Sequence, residues 1–333
     1  MNLPQIRLQP WYPGQLGVHG SDVPRGLRWS PTALVLFVDP DNNDCGDDHD
    51  GTDPEHPLET IQQAITTLTA HQTAQAVSLS GSVIVLGGMA YTESVTIPVT
   101  APAYCSIVGA GPSSHKPTWA SGAAAEPCLT VQAEGWTISG VEFNCPASAA
   151  GVELQDDDGT YSAYKTIISD CVFDGLWSGL YGVNFVGAPH RVQILNNWFI
   201  EMNQGDDSAF CIFITDTASG PGNPYQCAIV GNRFSDSDNY IGNLGSIRGF
   251  NVSLFQGNVF EIGVLLTPTI YLDLRGGSRG RNIVTGNVFS GTYSQAGGYY
   301  AHATLPGNWV GNMAEDVASL QVGDNGFTVA VPA

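Results

Sequence analysis

The chain is short of charge. Charged residues fill 13% of its 333 positions, about half the share usual in soluble domains. Positive charge is scarcest. Lys116, Lys165 and nine arginines face 31 acids, for a net charge of −20. Nucleic acid binding requires cations that neutralise phosphate, so that class is excluded. An anionic membrane surface is excluded on the same ground. Polyanionic sugars are poor partners unless a metal bridges them.

Other absences narrow the field further. No apolar run approaches the roughly 20 residues of a membrane span, and membrane insertion is not expected. The start, MNLPQIRLQPWYPGQ, lacks a basic segment followed by an apolar one, so no signal peptide is read there. The seven cysteines contain no CxxC pair and several sit in strand-like runs; free buried thiols are expected. The seven histidines show no HxH or HExxH spacing. Gly109-Ala110-Gly111 has no βαβ context, so no phosphate loop is present.

What is abundant is glycine, at 40 residues, together with polar turn formers, and these are arranged in a repeat. WTISGVEF, TIISDCVF, VQILNNWF, CAIVGNRF, VSLFQGNVF and NIVTGNVF end at Phe143, Phe173, Phe199, Phe234, Phe260 and Phe289, spaced 30, 26, 35, 26 and 29 residues apart. NWVGNM is a degenerate copy. Each copy is a β-run, a polar corner and a second β-run. The corner holds Asn197, Asn232, Asn258, Asn287 and Asn312, with Gly before it in four of the five. Asn and Gly suit left-handed corners, and an Asn side chain can bond the backbone of the next coil. Stacked coils would form one Asn ladder and one buried Phe ladder, each coil completing its neighbour's core. The expected fold is all-β: a single-stranded right-handed parallel β-helix. Around ten coils at about 4.8 Å each make a rod of roughly 50 Å.

Three segments follow from this reading. Residues 1–33 are an irregular arm rich in Pro, Gly and Trp, either packed along the solenoid or docking another protein through Trp11 and Trp29. Residues 34–80 comprise a first strand, an Asp-rich loop and an amphipathic helix over 57–72, with Leu58, Ile61, Ala64, Ile65 and Leu68 on one face and Pro57 in its first turn. That helix caps the open end. Residues 81–333 are the β-helix, with VIVLGG (83–88), SVTIP (94–98) and CSIVGAG (105–111) read as early coils lacking the Asn.

The Asp-rich loop, DPDNNDCGDDHDGTDP, places seven aspartates in sixteen residues. Asp39, Asp41, Asp44, Asp47, Asp48 and Asp50 are candidate ligands for a structural calcium ion, which takes six to eight oxygens. The EF-hand pattern fails, because Thr52 stands where the bidentate Glu belongs. The other reading is a structural turn whose carboxylates favour the helix N-terminus.

Asp50-Gly51-Thr52, Pro57, Thr60-Ile61 and Ala64, followed by Gly88, Tyr91, Glu93 and Ile97, resemble the opening of right-handed parallel β-helix proteins of the pectate-lyase-like superfamily. The resemblance spans roughly residues 35–315 and speaks for the fold, since fold does not fix activity. The layout, with its Trp/Pro arm ahead of the loop, also resembles structural proteins of tailed bacteriophages. It implies a structural or adhesive virion protein (tail fibre, tailspike-like protein or capsid decoration), a homotrimer by analogy, contacting other virion proteins and surface polysaccharide. An extracellular location is the alternative.

The enzyme alternative is a polysaccharide hydrolase, ahead of a lyase. A hydrolase needs two carboxyl groups, one protonated and one ionised. Asp206 and Asp207, in NNWFIEMNQGDDSAFCIF, loosely resemble the polygalacturonase Gly-Asp-Asp. The family's Asn-Thr-Asp, Gly-His-Gly and Arg-Ile-Lys are missing. Asp170, Asp174 and Glu201 are further acids nearby. A lyase base would come from Lys165, Arg191, Arg233, Arg248 or the RGGSRGR cluster (Arg275, Arg279, Arg281). A third reading is sugar binding on Trp177, Trp198, Tyr299 and Tyr300.

Overall fold

The computed structural model describes residues 33–75, 79–110, 116–156, 162–202, 208–215, 223–237, 239–242, 249–261, 270–274, 281–290, 299–302, 308–314, 317–321 and 328–329. Trp11 and Trp29 of the N-terminal arm lie outside them.

The strands form three sheets, of ten, eleven and eight strands, which the chain visits in turn. One coil runs Thr137–Ser139 in the first sheet, Glu142–Asn144 in the second and Ala150–Asp156 in the third. It then returns as Ile167–Ser169, parallel to where it began. This is a parallel β-helix. At the C-terminal end Asn312–Ala314, Val317–Gln321 and Thr328–Val329 pair antiparallel instead.

The sequence repeat contains the first-sheet strand, the corner and the second-sheet strand. The third-sheet strand has no constant place in it. The early coils differ from expectation for that reason: Val83–Leu86, Ala90–Thr92 and Val95–Ile97 belong to three different sheets and make one coil, not two.

Alternation fills the interior. In the first sheet Ile107, Ile138, Ile168, Ile194 and Ile229 point inward and are fully buried. In the second, Phe143, Phe173, Phe199, Phe234, Phe260 and Phe289 stack with centroids 4.7–5.2 Å apart. Trp119 extends that stack by one coil, 5.4 Å from Phe143. Such pairs add about 0.5–1.5 kcal/mol each beyond area burial.

The helix spans Ile61–Gln75, starting later than the apolar spacing predicts. Leu58 forms a bridge with Val38 instead, and Pro57 precedes the helix. The start is set by caps. Ile61 N and Gln62 N donate to the two carboxylate oxygens of Glu93, at 2.8 and 3.1 Å. Gln63 N donates to Thr60 Oγ1. These satisfy the orphan donors of the first turn. Ile61, Ala64, Ile65 and Leu68 are buried against the first coil. Gln62 bonds both Thr96 N and Thr96 O through its side-chain amide. It thereby closes an exposed strand edge that would otherwise invite pairing.

Candidate functional site

The Asp-rich loop is built from its own carboxylates. Asp39 Oδ1 accepts from Asp41 N, and Asp41 Oδ2 accepts from Met89 N. Asp47 accepts from Glu59 N, Thr60 N and Thr60 Oγ1 at 2.8–3.1 Å. Asp50 Oδ1 accepts from Thr52 N and Oγ1, both at 2.8 Å, which holds its carboxyl below the usual range. Asp44 sits 2.6 Å from His56 Nδ1. Among the described residues, no three His, Cys, Asp or Glu side chains are grouped so as to hold a metal ion. A cleft of about 360 Å³ lies beside the loop, lined by Phe37, Asp39, Asn42, Glu55 and Pro57 among others.

The rest of the DGT…Tyr…Glu pattern is also structural. Gly51 has φ +69°, and a Cβ there would lie 2.7 Å from Leu58 Cγ. Tyr91 OH donates to Val38 O and accepts from Gly88 N. Burial pushes the Glu93 carboxyl up, against the pull of its two helix N–H donors.

At the polar corners the work is divided between two residues. The positive φ falls on Asn196, Gly231, Gly257, Gly286 and Gly311. The following residues, Asn197, Asn232, Asn258, Asn287 and Asn312, form the ladder, each at 2% exposure or less. A second polar row, absent from the sequence reading, precedes the first-sheet strands. There Cys227 N donates to Ser253 Oγ, and Ser253 N to Asn282 Oδ1.

The outward face of the second sheet is different in kind, because its groups are not absorbed by the fold. Register places Glu142, Val172, Trp198 and Arg233 side by side, with Asn144, Asp174, Ile200 and Ser235 two residues on. Trp198 is 40% exposed. Its Nε1 donates to Ser235 Oγ at 3.1 Å, and the Arg233 guanidinium lies 5.2 Å from its ring centroid. Arg233 in turn pairs with Glu261 at 2.7 Å.

Next to Trp198's strand, Val172–Gly179 bulges. Asp174 pairs with Ile200 and Gly179 with Met202, so four residues stand opposite Glu201 alone. Two of the four, Leu176 and Trp177, have φ of 47° and 62° and are 53% and 40% exposed. Positive φ is rare for bulky residues and strains the backbone. Glycines make the bulge fit: a Cβ on Gly175 would lie 2.2 Å from Glu201 O, and one on Gly179 would lie 2.7 Å from Gly175 Cα. Asp174 Oδ1 accepts from Leu176 N.

Carboxylates share this face with the two tryptophans. Burial pushes the carboxyls of Glu142 and Glu201 up, and the charge of Asp174 adds to both. Lys116 lowers Glu142 somewhat and donates to the Asp170 carbonyl. Asp236 raises Glu201 further. Of the sequence candidates, this face brings together Asp174, Glu201, Arg233, Trp177 and Trp198, with Asp170 at its edge. Sequence reasoning missed Glu142 and Ser235, which the Phe-anchored register could have found. Asp206, Asp207 and Arg248 lie outside the described residues, as does the RGGSRG part of the basic cluster. Tyr299 and Tyr300 lie in a third-sheet strand, not on this face. Lys165 and Arg191 sit at a different corner. There Lys165 pairs with Glu134 at 2.8 Å, Tyr104 donates to the same carboxylate oxygen, and Arg191 lies over the Tyr164 ring.

No protein-family model, no curated protein and no solved structure matches this chain.

Proposed function

We propose that the chain is a structural, adhesive rod of a tailed bacteriophage particle, and that it holds saccharide on the outward face of its second sheet. The observation that carries the adhesive reading is the bulge at 175–178. It presents Leu176 and Trp177 to solvent in a strained backbone conformation, beside exposed Trp198. Strain of about 1–3 kcal/mol per residue, held in place by Gly175 and Gly179 and giving no core packing in return, is explained by an external ligand. Aromatic rings offer stacking surface, and the surrounding carboxylates accept hydrogen bonds from hydroxyls. The local acidity favours neutral or amino sugars over polyanions. The continuous ladders favour a stiff rod. The virion setting rests on the layout resemblance.

Binding of host-envelope and neutral polysaccharides by affinity electrophoresis tests the saccharide reading. Trp177→Ala and Trp198→Ala should each weaken retardation about tenfold, or about 1.4 kcal/mol, without changing the melting temperature. Absence of retardation by any glycan sinks it. Immunogold labelling of purified particles tests the virion setting separately.

A second reading, glycoside hydrolysis, is favoured by one observation. Glu142 and Glu201, whose carboxyls burial pushes up, share one face with Asp174, and two carboxyl groups in one site are what that chemistry needs. Release of reducing ends from a neutral glycan, abolished by Asp174→Asn and Glu201→Gln, would establish it.

A further inference from the structure

Two residues before a first-sheet strand the backbone turns through the left-handed region. Along the rod that position holds Gly81, Tyr104, Gly135, Lys165, Arg191, Gln226, Val252 and Arg281, with φ between 51° and 86°. Where the chain leaves the same sheet, the left-handed position holds Gly140, Asp170, Asn196, Gly231, Gly257, Gly286 and Gly311. Those are the residue types that adopt this conformation readily. Glycine would serve the entry turn equally well, so the long side chains there answer to something other than the turn.

Two of them are absorbed by their neighbours. The Tyr104 ring lies over Gly135, where a Cβ would come within 2.4 Å of Tyr104 Cδ1. Tyr104 OH donates to Glu134 Oε1 at 2.6 Å. Lys165 Nζ donates to Tyr104 OH and to Glu134 Oε1, both at 2.8 Å, which neutralises its charge. Arg191 is different. Its guanidinium is fixed twice, by Nε donating to Gln226 Oε1 at 3.0 Å and by stacking 5.2 Å from the Tyr164 ring centroid. Arg191 is exposed, and among the described residues no carboxylate lies within ion-pair distance of it. Neither Nη nitrogen has a hydrogen-bond partner among those residues. The half-exposed rings of His190 and Tyr225, 5.7 Å apart, continue the same corner.

We infer that Arg191 anchors a binding site for a small monocarboxylate. The two Nη groups form an end-on fork that matches the two oxygens of a carboxylate. The fork is oriented before the ligand arrives, so little side-chain freedom is lost on binding. An apolar body on the ligand can lie against His190 and Tyr225. Charge decides between oxyanions. A phosphate monoester fits the same fork but carries about −1.5 to −2 at neutral pH, and repulsion from a chain of net charge −20 grows with the ligand's charge. Polyanions are disfavoured more strongly still. This corner joins the third and first sheets, and its test does not depend on saccharide at the second.

NMR of the isotope-labelled full chain tests the site. At constant ionic strength, sodium acetate should shift one arginine Nε–Hε resonance and saturate at roughly millimolar concentration. That resonance should be the one missing from Arg191→Gly. Inorganic phosphate should need a concentration at least about threefold higher, from its greater charge. Benzoate should bind about threefold more tightly than acetate, through ring contact. The protein should broaden the benzoate signals. Arg191→Gly should abolish that broadening with an unchanged circular dichroism spectrum, since glycine suits a φ of 57°. Arg191→Lys, which keeps the charge and loses the fork, should weaken benzoate about tenfold. No arginine shift beyond that given by chloride, or broadening that persists in Arg191→Gly, overturns the site. Phosphate saturating before acetate overturns the monocarboxylate.

Discussion

Asn232 Oδ1 accepts two hydrogen bonds from Asn197, one from its backbone N–H at 2.9 Å and one from its side-chain amide at 3.0 Å. Asn232 in turn donates its backbone N–H and side-chain amide to Asn258 Oδ1, Asn258 donates both to Asn287 Oδ1, and Asn287 both to Asn312 Oδ1. The remaining amide proton of each goes to a first-sheet carbonyl, as Asn232 Nδ2 does to Ile194 O. Each side chain thus satisfies buried groups on two coils, and the row is a polar network with its members paired.

Asn258→Ala should therefore cost more than an ordinary side-chain hydrogen bond. It removes the acceptor of Asn232 N and of one Asn232 amide proton, and the side-chain donor to Ile229 O, while Asn287 Oδ1 keeps the backbone N–H of residue 258. At about 1–3 kcal/mol per buried unsatisfied group, a loss of about 3–5 kcal/mol is expected in urea unfolding. Asn196→Gly, at the adjacent left-handed position (φ 55°), should be neutral or stabilising. Equal effects of the two substitutions would contradict the division of labour at the corner.

Asp47→Ala should destabilise by about 1–3 kcal/mol, because it removes the acceptor for Glu59 N, Thr60 N and Thr60 Oγ1. The deficit should be the same in calcium and in chelator, since both Asp47 oxygens are occupied by Glu59 N, Thr60 N and Thr60 Oγ1. Thermal unfolding in both conditions checks this. A melting temperature several degrees higher with calcium, abolished by Asp47→Ala, would mean instead that the aspartates gather around the ion.

These two cases show what the sequence could disclose. Phe143 to Phe289 and the corner asparagines recur at nearly fixed offsets, because each must meet its copy one coil away, and such repetition is readable. The third sheet was not readable: loops of different length separate it from the Phe, so Ala150–Asp156 and Phe210–Thr215 share no offset. For the aspartate loop the sequence allowed both a calcium site and a structural turn, because residue type alone cannot tell a ligand from a cap; the capping role of Asp47 and Asp41 shows only in where Thr60 N and Met89 N point. Of the acidic, aromatic face, Asp174, Glu201, Trp177 and Trp198 were visible singly. Their convergence needed the register of Glu142 with Val172 and of Val172 with Trp198.

Stability should rise as the solution is acidified toward the ordinary carboxylate range; His190, whose imidazole burial holds below its usual value, opposes that trend around the ordinary histidine value. Burial raises the carboxyls of Asp39, Glu93, Glu142 and Glu201. The folded state therefore holds those protons more tightly than the unfolded chain. The stability they contribute is complete below the ordinary carboxylate value and is lost as pH rises through the folded one. Asp50 is lowered by its bonds from Thr52. At Glu134, burial raises the carboxyl, but the bonds from Lys165 and Tyr104 outweigh it. Those two contributions vanish as pH falls through their depressed values, so the curve should turn down in stronger acid. A melting temperature that falls steadily over the last unit or so of acidification above the ordinary carboxylate value, ~4, would contradict this assignment.

The thiols give a last, independent check on the packing. All seven cysteines are free; six are buried, and Cys45 is partly exposed. Burial pushes Cys105, Cys128 and Cys227 up to about 12 and Cys171 to about 11, with Cys145 and Cys211 also raised. Thiolate, the reactive form, is scarce at neutral pH in every one of them. Cys45 is reachable, yet its thiol is also raised, by local burial and then by the carboxylates of Glu59, Asp39 and Asp47. Ellman's reagent should therefore find at most one slowly reacting thiol in the native protein and seven after denaturation. Cys45→Ser should remove the native signal entirely. Two or more thiols reacting quickly in the folded state would mean that the coils holding Cys128, Cys145 and Cys211 are not closed around them.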